Sequence, residues 1–126
     1  MSLEKDRKDR SYQYGRLLAV LEKAEKDTYG SGESRETNAI RSISMFIQKP
    51  LHTTSMLIEQ LKRSYFSKLT PAARAYYDKL IGEILENISE MEENNASLKE
   101  TYVLGYYLQK NSLYTKNNTT PIDEEE

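Results

Sequence analysis

The strongest constraint on this chain lies between Tyr77 and Met91. There Tyr77, Leu80, Ile81, Ile84, Leu85, Ile88 and Met91 recur at i, i+3, i+4, i+7 spacing over two heptads. A strand would need strict alternation, so this stretch is an amphipathic helix with one apolar face to cover. Thr70-Pro71 just upstream supplies a start, with Thr as cap and Pro at the first helical position. The helix is expected over about 71–92, as the best-protected element of the fold.

Four further segments can cover that face. A helix over about 11–28 presents Tyr14, Leu17, Leu18, Leu21 and Ala24, and Gly30-Ser-Gly32 breaks it. A helix over about 35–48 carries Ala39, Ile40, Ile43, Phe46 and Ile47, and Pro50 forces a boundary because it disfavours helical geometry at Lys49. A helix over about 51–67 carries Leu51, Leu57, Ile58, Leu61 and Tyr65. Ser97-Leu-Lys-Glu100 matches a capping box, which opens a fifth helix over about 98–113. With 126 residues, five Gly and three Pro, the chain has the length of one domain and too few turn residues for an all-β fold. The expected architecture is an all-α bundle of about five helices over 11–114. A charged lead-in over 1–10 precedes it, and a disordered acidic tail over 115–126 follows.

Composition removes most catalytic chemistry. There is no Cys, hence no thiolate nucleophile and no disulfide. His52 is the one histidine, placed at a helix start as a capping or exposed residue, with no second ligand within helical reach. Glu83, Glu86, Glu90, Glu92 and Glu93 lack the Glu-x-x-His pairing of bundle metal sites and read as a solvated face. The expectation is a chain that is not an enzyme and uses no metal or cofactor. No apolar run approaches the roughly 18 residues of a membrane span, and the first residues lack a signal-like core. A cytoplasmic location without membrane contact is expected.

Charge is unevenly spread. Residues 1–75 hold 14 Lys/Arg against 9 Asp/Glu, whereas residues 76–126 hold 4 against 11. From Thr37 to Tyr77 Glu59 is the one acid, against Arg41, Lys49, Lys62, Arg63, Lys68 and Arg74. Tyr65, Phe66, Tyr76 and Tyr77 are interleaved with these cations. Such a strip suits a surface that tracks a phosphate backbone. It also suits a solvated face whose charges pair with the acidic half of the same bundle. Tyr65 and Tyr77 sit at core spacing, so packing accounts for most of the aromatic signal.

Three stretches together resemble a known family. They are Tyr14-Gly-Arg-Leu-Leu-Ala-Val-Leu-Glu22, then Asn38-Ala-Ile-Arg41 with Tyr76-Tyr-Asp-Lys-Leu-Ile-Gly-Glu-Ile84, and finally Leu104-Gly-Tyr-Tyr-Leu-Gln-Lys110. In this order they are similar to the C-terminal region of the large subunit of type I-C CRISPR surveillance (Cascade) complexes. In that family the region is also made separately, as a small subunit translated from inside the large-subunit frame. The likeness spans about Tyr12 to Lys110, and its start close after a Met fits such a product. It implies a helical bundle without catalytic residues, stacked in more than one copy along the filament that holds the CRISPR RNA. Implied partners are the large subunit, the backbone filament subunit and further copies of itself. The implied nucleic-acid contacts are the guide–target heteroduplex and the displaced DNA strand, with cleavage left to a recruited helicase-nuclease. Under that resemblance Arg41, Lys49, Lys62, Arg63, Lys68 and Arg74 are the candidate DNA-binding residues. Arg16 is a further candidate, or else a structural arginine paired with a carboxylate. The rival expectation is a helical protein–protein adaptor that binds no nucleic acid.

Overall fold

The computed structural model describes residues 2–29, 35–91 and 95–118. They form α1 (Arg10–Lys26), α2 (Asn38–Arg41), α3 (Ile43–Gln48), α4 (Pro50–Ser64), a 3-10 turn (Phe66–Lys68), α5 (Pro71–Ser89) and α6 (Thr101–Asn118). The expected all-α bundle is what the chain forms. Among the described residues no helix is long and apolar enough to cross a membrane.

Burial centres on α1 rather than on α5. Every residue of α1 from Ser11 to Glu25 is buried, on all sides of the helix. It packs chiefly against α6, then α5, with α2 and α4 completing the wall. Ile81, Ile84 and Ile88 of α5 are buried as their spacing requires, while Leu80 and Leu85 sit at the edge of the core. Thr70 caps α5, its hydroxyl accepting from the Ala73 N–H at 3.1 Å.

Contact between α1 and α6 is closest where two glycines face the partner backbone. A Cβ on Gly15 would lie 2.0 Å from the carbonyl oxygen of Tyr102, and one on Gly105 would lie 2.0 Å from that of Tyr12. Neither position leaves room for a methyl group. The two helices run side by side in the same direction. Asp9 meets Thr101 at their starts, Arg16 meets Gln109 midway, and Lys23 meets Tyr114 further on.

Several boundaries differ from the periodicity. The second predicted helix is two short ones, α2 and α3, joined at Ser42, whose φ of −97° and ψ of 14° depart from helical values. The third ends at Ser64, and the 3-10 turn replaces its last residues. The capping box at Ser97 does not cap. Leu98 N–H donates to the Ile47 carbonyl, and Lys99 N–H to the Ser11 hydroxyl, so these residues tie distant elements together and α6 begins at Thr101. That helix continues to Asn118, past the expected end near 113. Residues 119–126 of the expected tail lie outside the described residues.

The lead-in over 2–9 is a packed strap. Asp9 caps α1 by accepting from the Tyr12 N–H, Glu4 N–H donates to the Tyr12 hydroxyl, and the Lys5 carbonyl accepts from Gln13, Arg16 and Asn87. His52 is exposed. Its backbone N–H and that of Leu51 donate to the Asn95 side-chain oxygen, which caps α4 from across the fold.

Candidate functional site

The candidate cations gather at the corner where α4 turns into α5. Phe66 and Leu69 are buried and pin this turn to the core, which leaves Ser67 and Lys68 facing water. Lys62 and Arg63 lie on the last turn of α4, Lys68 in the 3-10 turn and Arg74 in the first turns of α5. All four are exposed.

Their partners are few. Lys62 Nζ lies 3.2 Å from Asp78 Oδ1, and Arg63 lies 3.5 Å from Glu59, with all four side chains more than half exposed. Pairs of this kind contribute little, because water competes for both members. Lys68 Nζ sits 5.4 Å from the Tyr65 ring centroid, and Arg74 reaches back to the Leu69 carbonyl at 3.4 Å. Among the described residues neither has a carboxylate at ion-pair distance. Lys62, Phe66, Pro71, Arg74 and Asp78 line an open cleft of about 530 Å³.

Arg41 joins this corner through Asn38. Its guanidinium donates to the Asn38 side-chain oxygen, and the Asn38 amide donates to the Tyr65 hydroxyl at 3.1 Å. Lys49 does not join it. It precedes α4 at the opposite end, about 20 Å along the helix from Lys62 at 1.5 Å per residue. The strip seen in the sequence is therefore a cluster of five with one outlier.

Arg16 is elsewhere altogether. It is only 2% exposed, in the seam between α1 and α6. Its Nε donates to Gln109 Oε1 at 2.8 Å, and its Nη1 to Gln13 Oε1 at 2.8 Å and the Lys5 carbonyl at 3.0 Å. Burial pulls the guanidinium below its ordinary value, while Tyr12, Glu83 and Asp6 favour its charge. It is a structural arginine held by amide and carbonyl oxygens rather than by the carboxylate expected from the sequence. No phosphate can reach it in this fold.

The C-terminal half of α1 carries a row of tyrosine–carboxylate bonds, of which the one from Tyr106 crosses the seam to α6. Tyr106 donates to Glu22 at 2.5 Å, and Tyr77 and Tyr29 donate to Asp27 and Glu25. Burial first, and the adjacent carboxylate second, push the Tyr77 and Tyr106 hydroxyls well above their ordinary value and that of Tyr29 up to about 12. These groups stay neutral donors at neutral pH.

Asp78 is the member of the cleft that the count of cations overlooked. Its position four residues after Arg74 places both on one face of α5, a signal available in the sequence. Among the described residues no group of three His, Cys, Asp or Glu side chains is arranged to hold a metal ion.

The first and third of the quoted sequence blocks meet in this fold. Gly15 and Arg16 of the first block face Tyr102, Tyr106 and Gln109, so the α1–α6 seam is built from the residues that carry the family likeness. No curated protein matches the chain. A family model, that of the CRISPR-associated protein Cas_Csd1, matches residues 1–114. That match covers the lead-in strap, all of α1 to α5 and most of α6, and the chain therefore belongs to the Cas_Csd1 family of CRISPR-associated proteins.

Proposed function

We propose that this CRISPR-associated chain is a non-catalytic small subunit of a type I-C surveillance complex, one that binds DNA backbone without reading sequence. The observation that carries the reading is the corner formed by Arg41, Lys62, Arg63, Lys68 and Arg74. Five exposed cations there face two exposed carboxylates, Asp78 and Glu59. These cations are exposed and loosely partnered, so the corner suits phosphate contacts that position a strand rather than base contacts that specify one. Membership of a CRISPR-associated family supports this reading, and in an effector assembly neighbouring subunits would raise the local concentration of a weak contact.

Salt-dependent binding of single-stranded DNA by the full chain tests it. With about three or four phosphates neutralised, log K falls with log salt at a slope near −2 to −3. Replacing Lys62, Arg63 and Lys68 by Ala flattens that slope by about one to two units and weakens all sequences alike. In the assembled complex the same triple change reduces opening of target DNA and leaves guide RNA loading intact. Affinity that ignores salt, or normal DNA opening by the triple variant, sinks the proposal.

One observation favours the rival, a helical adaptor. Val103 and Tyr107, four residues apart on the outer face of α6, are 41% and 56% exposed. The same titration separates the two readings, since an adaptor shows no salt-dependent DNA affinity.

A further inference from the structure

The cleft between α4 and α5 contains its own anion. Lys62 closes it from the end of α4, and Arg74 and Asp78 project one turn apart from α5. Asp78 Oδ1 sits 3.2 Å from Lys62 Nζ, so one of the two cations is occupied by a carboxylate of the protein itself. The volume of about 530 Å³ falls within the roughly 300–1,000 Å³ typical of small-ligand sites.

Three features set what this cleft can hold. Its net charge is positive, from Lys62 and Arg74 against Asp78. The Lys62–Asp78 pair is 52% and 57% exposed, which makes it weak and quick to exchange. Phe66, pinned in the core, gives the cleft a fixed apolar floor rather than a mobile wall. A monoanion that keeps its charge at every physiological pH matches all three, and a phosphodiester is such a group.

We infer that the cleft takes one phosphodiester of a single-stranded nucleic acid between Lys62 and Arg74, with Asp78 as a built-in competitor for that place. The inference rests on the proposed DNA-binding function and adds a specific seat and a brake to it. An arriving phosphate displaces the Asp78 carboxylate from Lys62, and the carboxylate turns into water. The brake keeps the isolated chain a weak binder, so that stable engagement needs several contacts at once.

Asp78→Asn in the full chain tests this, with binding of a labelled oligothymidylate followed by fluorescence anisotropy. Glu100→Gln is the control, because it changes net charge equally at an exposed site just before α6. Asp78→Asn is expected to tighten binding about three- to tenfold at low salt. It should also steepen the salt slope by about 0.7, as one further phosphate is neutralised. Glu100→Gln should stay within about twofold, as one remote screened charge. Adding Lys62→Ala to Asp78→Asn should erase the gain, and Asp78→Ser reads the same quantity should the Asn variant fold poorly. The seat is overturned if Asp78→Asn behaves like the Glu100 control, or if its gain survives Lys62→Ala. If that happens while the Lys62, Arg63, Lys68 triple variant still weakens binding, the proposed function stands and this cleft falls. If the wild-type chain shows no salt-dependent binding, both fall together.

Discussion

Arg16 and Arg63 are the same residue type put to opposite uses by the two regions that hold them. Arg16 lies in the α1–α6 seam at 2% exposure, with three oxygens at fixed distance. Arg63 lies at the α4–α5 corner with a side chain 67% exposed and one carboxylate at 3.5 Å. In the seam a polar group is expensive to bury, so each is aimed at a partner and its loss is felt by the whole fold. At the corner water already satisfies the charge, so the fold gains little from it and the charge is available to something else. Under the proposed function, a cation's value to stability and its value to binding are therefore inversely placed in this molecule.

The largest effects should come from the seam's backbone contact. Gly15→Ala or Gly105→Ala puts a methyl group 2.0 Å from a carbonyl oxygen of the facing helix, which only a shift of the whole helix can relieve. Each should cost more than about 3 kcal/mol in chemical denaturation. Gly82→Ala is the matched control, since nothing lies within 4 Å of its added methyl group. It should stabilise by about 0.5–1 kcal/mol through helix propensity. Equal losses at all three glycines would show that the helices do not pack as described.

Next comes the apolar face of α5. Ile84 is fully buried, whereas Leu85 only borders the core. Ile84→Ala should cost about 2–4 kcal/mol, and Leu85→Ala clearly less, as the cavity it leaves is open to water. A Leu85 loss equal to that of Ile84 would place both in the core. Smaller again is Gln109→Leu, which leaves Arg16 Nε buried without its acceptor and should cost about 1–3 kcal/mol. DNA affinity should be unchanged by it, and a salt slope altered by this variant would argue that the seam and the corner are coupled.

Much of this architecture is legible in the sequence, and the exceptions share a cause. The α5 face and the Thr70-Pro71 start are encoded by neighbours in the chain, so spacing and cap chemistry suffice to find them. The same holds for the apolar row from Tyr14 to Ala24. What spacing misses is that α1 is also buried on its polar side. Gln13, Arg16, Glu22 and Glu25 look like a solvated face until Gln109, Tyr106 and Asn38 arrive from 13 to 93 residues away. Ser97 fails as a cap because the nearby N–H groups find acceptors on Ile47 and Ser11 first. The basic strip is half legible. Its cations are plain in the sequence, but grouping five at one corner and leaving Lys49 behind depends on the turn at Phe66 and Leu69.

Tyrosine titration offers a milder way to loosen the packing around α1. The Tyr77 and Tyr106 hydroxyls are pushed up in the folded chain by burial and by Asp27 and Glu22. A raised folded-state value means stability that is complete below the ordinary tyrosine value near pH 10 and is lost as pH rises beyond it. Stability followed from pH 8 to 11.5 should fall at the alkaline end, and Tyr106→Phe should make that fall shallower. An unchanged slope in the Phe variant would mean that neither burial nor Glu22 favours the protonated hydroxyl in the folded state.

The smallest expected effect is at the corner, and its smallness is the point. Lys62 and Arg63 each have one exposed carboxylate partner, and Lys68 rests on the Tyr65 ring. Exposed pairs contribute about 0–1 kcal/mol, and removing these cations also relieves the repulsion among them. Lys62, Arg63 and Lys68 replaced together by Ala should therefore shift unfolding by less than about 1 kcal/mol. None of the three lies on the buried Leu57 and Leu61 face of α4, so no cavity opens. Against this near-silence in stability, the salt slope for single-stranded DNA should change. Gln109→Leu should give the reverse pair of outcomes, a loss of stability and an unchanged slope. A triple variant that unfolds readily would return these cations to the structure of the bundle, and the proposed division between a seam that holds and a corner that binds would dissolve.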